Sequence, residues 1–240
     1  MTTGHNDQIN EMVVSDDGRF LVSASNNKII KIWEVATTQE YRTISGTAGR
    51  VDQLAFSQNN IHLAGVSNQD ELNVWNVLTG EEIFEGTASG TTRGLAFFQN
   101  GKKLAFVNDD NKPAVLNVEN GEVISFDMVC MGMQIDKVRG VAYNLDHLGN
   151  MQKLDLNTGS VLETYQLFPE MNFPFSRGDI TDDGRYISWG FNDDVMRVFD
   201  TETGAFVLEQ KYPSKIVTTH FDQHRPYLYV STHSGGVNIY

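Results

Sequence analysis

One residue pattern recurs about every forty residues along the whole chain, and it limits the fold more than any other feature. Ile32-Trp33-Glu34-Val35 is followed by Val74-Trp75-Asn76-Val77, Val115-Leu116-Asn117-Val118, Lys153-Leu154-Asp155-Leu156 and Val198-Phe199-Asp200-Thr201, and Ile239-Tyr240 begins a sixth copy. The large residue stands at 33, 75, 116, 154, 199 and 240, in steps of 42, 41, 38, 45 and 41. Four copies lead into a turn, at Thr79-Gly80, Asn120-Gly121, Thr158-Gly159 and Thr203-Gly204. A second series stands upstream of the first. Ser15-Asp16-Asp17-Gly18-Arg19-Phe20 and Thr181-Asp182-Asp183-Gly184-Arg185-Tyr186 are nearly the same segment. Phe98-Gln99-Asn100-Gly101-Lys102 is a third version, and Asn59-Asn60 holds the place in another unit. Asp-Asp-Gly between apolar runs marks a tight turn between strands, because Gly supplies a positive φ and Asp tolerates it.

Each unit reads as four strands. In the first unit they run over about 9–14, 20–25, 29–35 and 39–44. Leu72-Asn73-Val74-Trp75-Asn76-Val77 interleaves Leu, Val and Val with Asn, as a half-buried strand does. No stretch sustains a helical period with caps. A period near forty with four strands per unit specifies an all-β chain, a β-propeller of four-stranded antiparallel blades. The units fall at about 5–46, 47–88, 89–126, 127–167, 168–212 and 213–240. Six are visible, and the last is incomplete, since it stops at Tyr240 where its third strand runs. No linker or composition shift divides the chain, so residues 1–240 read as a single domain.

Composition narrows the function classes. The chain has 18 Lys+Arg against 31 Asp+Glu, a net charge of −13. Such a surface repels phosphate backbones, so nucleic acid is not an expected partner. No run approaches the 18 apolar residues of a membrane-spanning helix, and no membrane partner is expected. Met1-Thr2-Thr3-Gly4-His5 lacks the basic and apolar regions of a signal peptide, which makes a cytoplasmic location the expectation. The single cysteine, Cys130, forbids an intramolecular disulfide or a thiolate zinc cluster. It lies in Met128-Val129-Cys130-Met131, which reads as an apolar strand with a buried, inert thiol.

The repeats resemble those of the WD-repeat β-propeller family, in a degenerate form. The first unit carries the resemblance best, with Gly4-His5, the turn Ser15-Asp16-Asp17-Gly18-Arg19 and the strand Lys28-Ile29-Ile30-Lys31-Ile32-Trp33-Glu34-Val35. The fifth is next, with Asp193 six residues before Phe199. The resemblance implies a buried Trp–Ser–His–Asp network, but the chain departs from it. Later units have Gly46-Thr47 and Gly86-Thr87 in place of Gly-His, Asn27 stands for the Asp of the first unit, and Trp is kept at only two of six positions, Trp33 and Trp75. His5, Asn27, Trp33, Trp75, Asp193 and Phe199 are accordingly read as structural residues. The family closes its last blade with a strand from the N-terminus, and Met1-Thr2-Thr3 is too short for one. The expectation is therefore a segment of a longer protein rather than six blades with one strand missing.

Function follows the resemblance: a non-catalytic protein–protein interaction scaffold that docks a peptide or partner domain. The alternative is a regulatory or sensor propeller within a multidomain enzyme, such as a caspase-like peptidase or a kinase. No Gly-x-Ser-x-Gly, phosphate-loop or His-Glu-x-x-His motif occurs, and no catalytic residue or cofactor is expected. His220 and His224 are separated as in some metal sites, but on a strand and turn they need not converge and no third ligand is evident, so no metal is expected. Asp109-Asp110-Asn111 and Asp182-Asp183-Gly184 lack the alternate ligands of a calcium loop and read as turns. The longest step contains Leu167-Phe168-Pro169-Glu170-Met171-Asn172-Phe173-Pro174-Phe175-Ser176-Arg177. Its prolines keep it out of a central strand, and its aromatics, Met and Arg suit an interface anchor. Arg50, Arg93 and Arg177 recur where first strands begin and would suit an acidic peptide. The expected partner site is thus Arg50, Arg93, Phe168, Met171, Phe173, Phe175 and Arg177.

Overall fold

The computed structural model describes residues 4–89, 94–167, 178–191, 193–222 and 225–240. Among these residues every regular element is a strand, and each sheet is built from strands consecutive in sequence. Blade 1 comprises β1 (Ile9–Val14), β2 (Phe20–Ser25), β3 (Ile29–Glu34) and β4 (Gln39–Ser45). Blade 2 comprises β5 (Val51–Phe56), β6 (His62–Ser67), β7 (Glu71–Asn76) and β8 (Glu82–Thr87). Blade 3 comprises β9 (Ala96–Phe98), β10 (Lys103–Val107), β11 (Pro113–Asn117) and β12 (Val123–Ser125). Blade 4 comprises β13 (Gly132–Asp136), β14 (Val141–Leu145), β15 (Asn150–Asp155) and β16 (Val161–Gln166). Blade 5 comprises β17 (Asp179–Ile180), β18 (Tyr186–Gly190), β19 (Val195–Asp200) and β20 (Ala205–Lys211). Blade 6 has three strands, β21 (Ile216–Phe221), β22 (Leu228–Thr232) and β23 (Val237–Ile239). The fold is all-β and of the β-propeller type, as the repeat implies. The chain divides into two compact units, Met1–Asp127 with blades 1–3 and Met128–Tyr240 with blades 4–6.

Local chemistry sets the strand boundaries. Between the first and second strands a hydroxyl and a short polar side chain close the turn together. Ser15 Oγ donates to Asp17 Oδ1 at 2.6 Å, and Asp17 Oδ1 accepts the Arg19 N–H at 2.9 Å. Ser15 Oγ then accepts the Phe20 N–H at 2.9 Å, where β2 begins. Ser57 with Asn59, and Thr181 with Asp183, repeat this arrangement before β6 and β18. The Ser15 hydroxyl holds the Asp17 carboxyl below the usual carboxylate range. After the third strand, the residue that follows the large one caps the next turn. Asn76, Asn117, Asp155 and Asp200 each accept the backbone N–H two residues on, at 2.9, 3.0, 2.7 and 2.9 Å. These are Asx turns, which explains why Asn or Asp stands there.

Side chains alternate between the two faces of each sheet, so a blade meets one neighbour with each face. We call the face toward the following blade trailing and the other leading. In the first unit, Val22, Ala24, Ile30 and Ile32 on the trailing face of blade 1 pack with Leu63 and Trp75 on the leading face of blade 2. Ala64, Val66, Leu72 and Val74 of blade 2 then pack with Phe97, Leu104, Phe106 and Leu116 of blade 3. In the second unit, Tyr143, Leu145 and Met151 of blade 4 meet Ile187, Trp189 and Phe199 of blade 5. Met196 and Val198 of blade 5 meet Phe221, Leu228 and Val230 of blade 6. Each fully buried side chain of this size contributes about 1.5–3 kcal/mol. Polar links join the last two blades as well. Ser188 Oγ donates to Thr219 Oγ1 at 2.8 Å, and Asp179 Oδ2 accepts the Phe221 N–H at 2.8 Å.

Candidate functional site

The loop that joins one blade to the next lies at the same end of the sheet as the turn between second and third strands. Hydrogen bonds establish this: Lys28 Nζ donates to Ala48 O at 2.7 Å, and Asn68 N donates to Arg50 O at 2.9 Å. Arg50 of the expected partner site stands at that end. Of the site's seven residues only Arg50 is within the described part of the chain; Arg93, Phe168, Met171, Phe173, Phe175 and Arg177 lie outside the described residues. Arg50 stands immediately before β5 and is half exposed. Its Nε donates to Asp52 Oδ1 and Oδ2 at 3.0 and 3.3 Å, so the guanidinium is held along its own strand. Its remaining donors are the ones an acidic ligand could use.

In the second unit the same end of blade 4 is apolar. Val129, Met131 and Leu148 are exposed there. Asn144, fully buried, draws the loop in by donating through Nδ2 to Val129 O at 3.1 Å, and Met131 N donates to Leu145 O at 2.8 Å. Leu148 sits on the adjoining turn, which Asp146 Oδ1 holds through the N–H groups of Leu148 and Asn150 at 2.8 and 2.9 Å. This corrects the expectation of a strand over Met128–Met131. The segment is a loop before β13, and of its four residues only Cys130 is buried. Burial pushes the Cys130 thiol up to about 12, so it is neutral and unreactive at physiological pH.

All six residues read as structural lie among the described residues. His5 Nε2 shares a 2.7 Å hydrogen bond with Ser23 Oγ, which also accepts the Trp33 Nε1–H at 2.9 Å. His5 Nδ1 is buried without a partner, and Asn27 turns its Oδ1 to the Ile29 N–H at 3.2 Å. The Asn27 side chain also stands close enough to His5 to oppose the lowering of its pKa. Trp75 is buried against blade 1. In blade 5 Arg197, which matches Lys31 of blade 1, donates through Nη1 and Nη2 to the two oxygens of Asp193 at 3.0 and 2.6 Å. Phe199 is fully buried, edge-on to Tyr165 and Phe206 at 5.2 and 5.9 Å between ring centres.

Two histidines respond to pH in opposite directions. Burial lowers the pKa of His5 below the ordinary 6.5, and the Asp179 carboxylate, 2.8 Å from Nδ1, raises that of His220 above it. His5 contributes stability that is complete above pH 6.5 and is lost as pH falls through its lowered folded value. His220 contributes stability that is complete below pH 6.5 and is lost as pH rises through its raised folded value. The His220 side chain is exposed, so solvent screens much of its part. An NMR titration of the histidine ring protons should find the His220 midpoint above 6.5 and the His5 midpoint below it. Asp179→Asn should bring His220 down and leave His5 where it was; a His220 midpoint that ignores Asp179→Asn contradicts this account.

Among the described residues no group of three or more His, Cys, Asp or Glu could hold a metal ion. No helix there is long and apolar enough to cross a membrane.

The family model described as WD domain, G-beta repeat, matches residues 1–34. That stretch ends at the last residue of β3 and contains His5, Ser23 and Trp33, the three residues joined by hydrogen bonds in blade 1. The five further sheets repeat the strand order of the first, with β21–β23 one strand short. The first blade is thus similar to a WD repeat, and the sheets that follow are of the β-propeller type. No curated protein matches it. WD-repeat propellers generally serve as protein-interaction scaffolds. In this chain the residues that carry the repeat signature are buried or hydrogen-bonded within blades, whereas Val129, Met131 and Leu148 are exposed at loops. Those three escape a reading of the sequence, because an apolar run gives no sign of whether it is tucked in or turned out.

Proposed function

We propose that this chain is a non-catalytic scaffold that docks an extended peptide or a partner domain on the end of its blades where the blade-joining loops lie. The observation that carries this is the exposed apolar group Val129, Met131 and Leu148 on the loops of blade 4. Single exposed apolar residues need no explanation, but several on neighbouring loops resemble the apolar centre of an interface. The segment 168–177, with its aromatics and Arg177, leads from blade 4 to blade 5 and adds anchors of the type that dominate binding energy. The net charge of −13 disfavours nucleic acid in this role.

The test is affinity capture from cells that make the protein, followed by calorimetry on each partner recovered. Val129→Asp with Leu148→Asp should weaken binding at least about tenfold, since each places a charge in a desolvated contact. Phe173→Ala with Arg177→Ala should do the same. If both double variants bind every recovered partner as tightly as the parent chain, the site assignment is wrong.

A further inference from the structure

The turn after the third strand of blade 3 carries a residue pair not found in the equivalent turns of blades 2, 4 and 5, which read Thr-Gly. In blades 2 and 4 the threonine closes the turn: Thr79 Oγ1 accepts the Glu81 N–H and Thr158 Oγ1 accepts the Ser160 N–H, each at 3.2 Å. In blade 3 the pair is Asn120-Gly121, and Asn120 Oδ1 accepts the Glu122 N–H at 3.0 Å. The turn needs only an oxygen at this point, and a hydroxyl serves as well as a carboxamide. Asn120 therefore places an electrophilic carbon where its counterparts have a hydroxyl, directly before a glycine. The hydrogen bond to Oδ1 draws electrons from Cγ, and Glu122 Oε2 lies 3.5 Å from Nδ2. The Gly121 nitrogen is unshielded, since even a Cβ at Gly121 would meet nothing within 4 Å.

The Gly121 N–H is donated to Asn117 O at 2.9 Å and must be released before it can react. Residues 119–125 are all exposed, and β12 is paired only with β11. A segment with exposed hydrogen bonds and few buried contacts opens locally at low free energy. The second Asn-Gly pair, Asn100-Gly101, is built differently. Gly101 is buried, and a Cβ there would come 2.9 Å from Asn59 Nδ2 and from Ser57 Cβ. Its carbonyl lies 3.2 Å from His62 Nδ1. Blade 2 clamps this turn, so the Gly101 nitrogen cannot swing onto the Asn100 side chain without parting blades 2 and 3.

We propose that Asn120 is a site of spontaneous deamidation, and that the fold protects Asn100 from the same reaction. The Gly121 nitrogen loses its proton and attacks Asn120 Cγ. The N–Cγ bond forms, the Cγ–Nδ2 bond breaks, and Nδ2 takes up a proton and leaves as ammonia. Water then opens the cyclic imide. Cleavage on the Cγ side gives aspartate, and cleavage at the backbone carbonyl gives isoaspartate. Aspartate adds a negative charge beside Glu119 and Glu122, both exposed. Isoaspartate adds a methylene to the main chain inside the turn, which disturbs the bonds from Gly121 N to Asn117 O at 2.9 Å and from Asn117 N to Glu122 O at 2.8 Å. The outer strand of blade 3 then loosens from β11. None of this uses the loops of blade 4 or Arg50, so it stands independently of the docking reading.

The native chain, held in mildly alkaline buffer and sampled by peptide mapping with mass spectrometry, tests this directly. The peptide that contains Asn120 should gain the mass difference between water and ammonia, and both isomers should form. It should convert at least about tenfold faster than the peptide that contains Asn100, the ratio set when one site must first break a packed, hydrogen-bonded contact. In urea, where neither turn holds, the two should convert at similar rates. Asn120→Thr supplies the residue of blades 2 and 4; it should abolish the mass gain and leave circular dichroism and melting temperature as in the parent. Equal rates in the native chain, or an Asn120 peptide that does not change, overturn the proposal. So does aspartate without isoaspartate, since direct attack by water on the amide gives aspartate alone.

Discussion

Phe199→Ala is expected to cost about 3–5 kcal/mol of stability, the usual penalty for a fully buried phenylalanine. Phe199 is buried completely in the seam of blades 4 and 5. It belongs to a set of rings: Tyr165 lies edge-on at 5.2 Å, Phe206 at 5.9 Å, and Phe191 meets Phe206 at 6.4 Å. Aromatic edge contacts add to the area buried, by about 0.5–1.5 kcal/mol per pair. Alanine leaves a cavity that these neighbours can fill only by abandoning one another. A domain has about 5–15 kcal/mol in total, so the loss is a large fraction. Urea unfolding monitored by Trp189 fluorescence would measure it, since Trp189 lies in the same cluster. A loss under about 1 kcal/mol would mean that the seam repacks and that the ring set does not govern it.

Gly184→Ala should cost about 2–4 kcal/mol, whereas Gly18→Ala in the matching turn of blade 1 should cost about 1–2 kcal/mol. The backbone is alike in both, with φ of 67° at Gly184 and 69° at Gly18. An L-residue is strained there by the same amount. Their surroundings differ. A Cβ at Gly18 meets nothing within 4 Å. A Cβ at Gly184 would come 2.2 Å from Asp136 Oδ2 and 2.4 Å from Arg139 Nη1. Those two groups form a polar link between blades 4 and 5. Arg139 Nη1 donates to Asp136 Oδ2 at 2.7 Å and also to the carbonyl of Asp183, while Asp136 Oδ1 accepts the N–H groups of Val138 and Arg139 at 3.0 and 2.9 Å. Asp136 is almost completely buried, so displacing its partners leaves a costly carboxylate. The difference between the two variants, taken from paired denaturation curves, isolates this link from the backbone strain. Equal losses would show that the link contributes nothing.

Legibility followed the range of the interaction. The strands of blade 1 were readable to within one residue, because Ser15, Asp17 and Gly18 close their turn with bonds spanning five residues or fewer. The large-residue series marked third strands correctly at Trp33, Trp75, Leu116, Leu154 and Phe199; Tyr240 lies just past β23. Burial was harder to read, because it depends on which blade lies alongside. Met12 and Leu54 are alike in sequence, and only the seam decides that one is exposed. The loop around Cys130 was misread for a related reason: an apolar run describes a strand and a tucked segment equally well. The bidentate grip of Arg197 on Asp193 was also missed, although a cation four residues after a carboxylate was there to be noticed. At the candidate site, Arg50, just before β5, turned out to be engaged by Asp52, two positions further on.

The pairing of every strand with its neighbour in sequence also bears on how the chain acquires its structure. In all six sheets the ladders join consecutive strands, so the loops closed during folding are short. Short loops carry a small entropic cost and favour fast, local assembly. A blade can form its hairpins before the residues of the next are available, and each completed sheet then offers a template face to its successor. Assembly of this kind can nucleate wherever a turn closes first and propagate from there to the neighbouring blades.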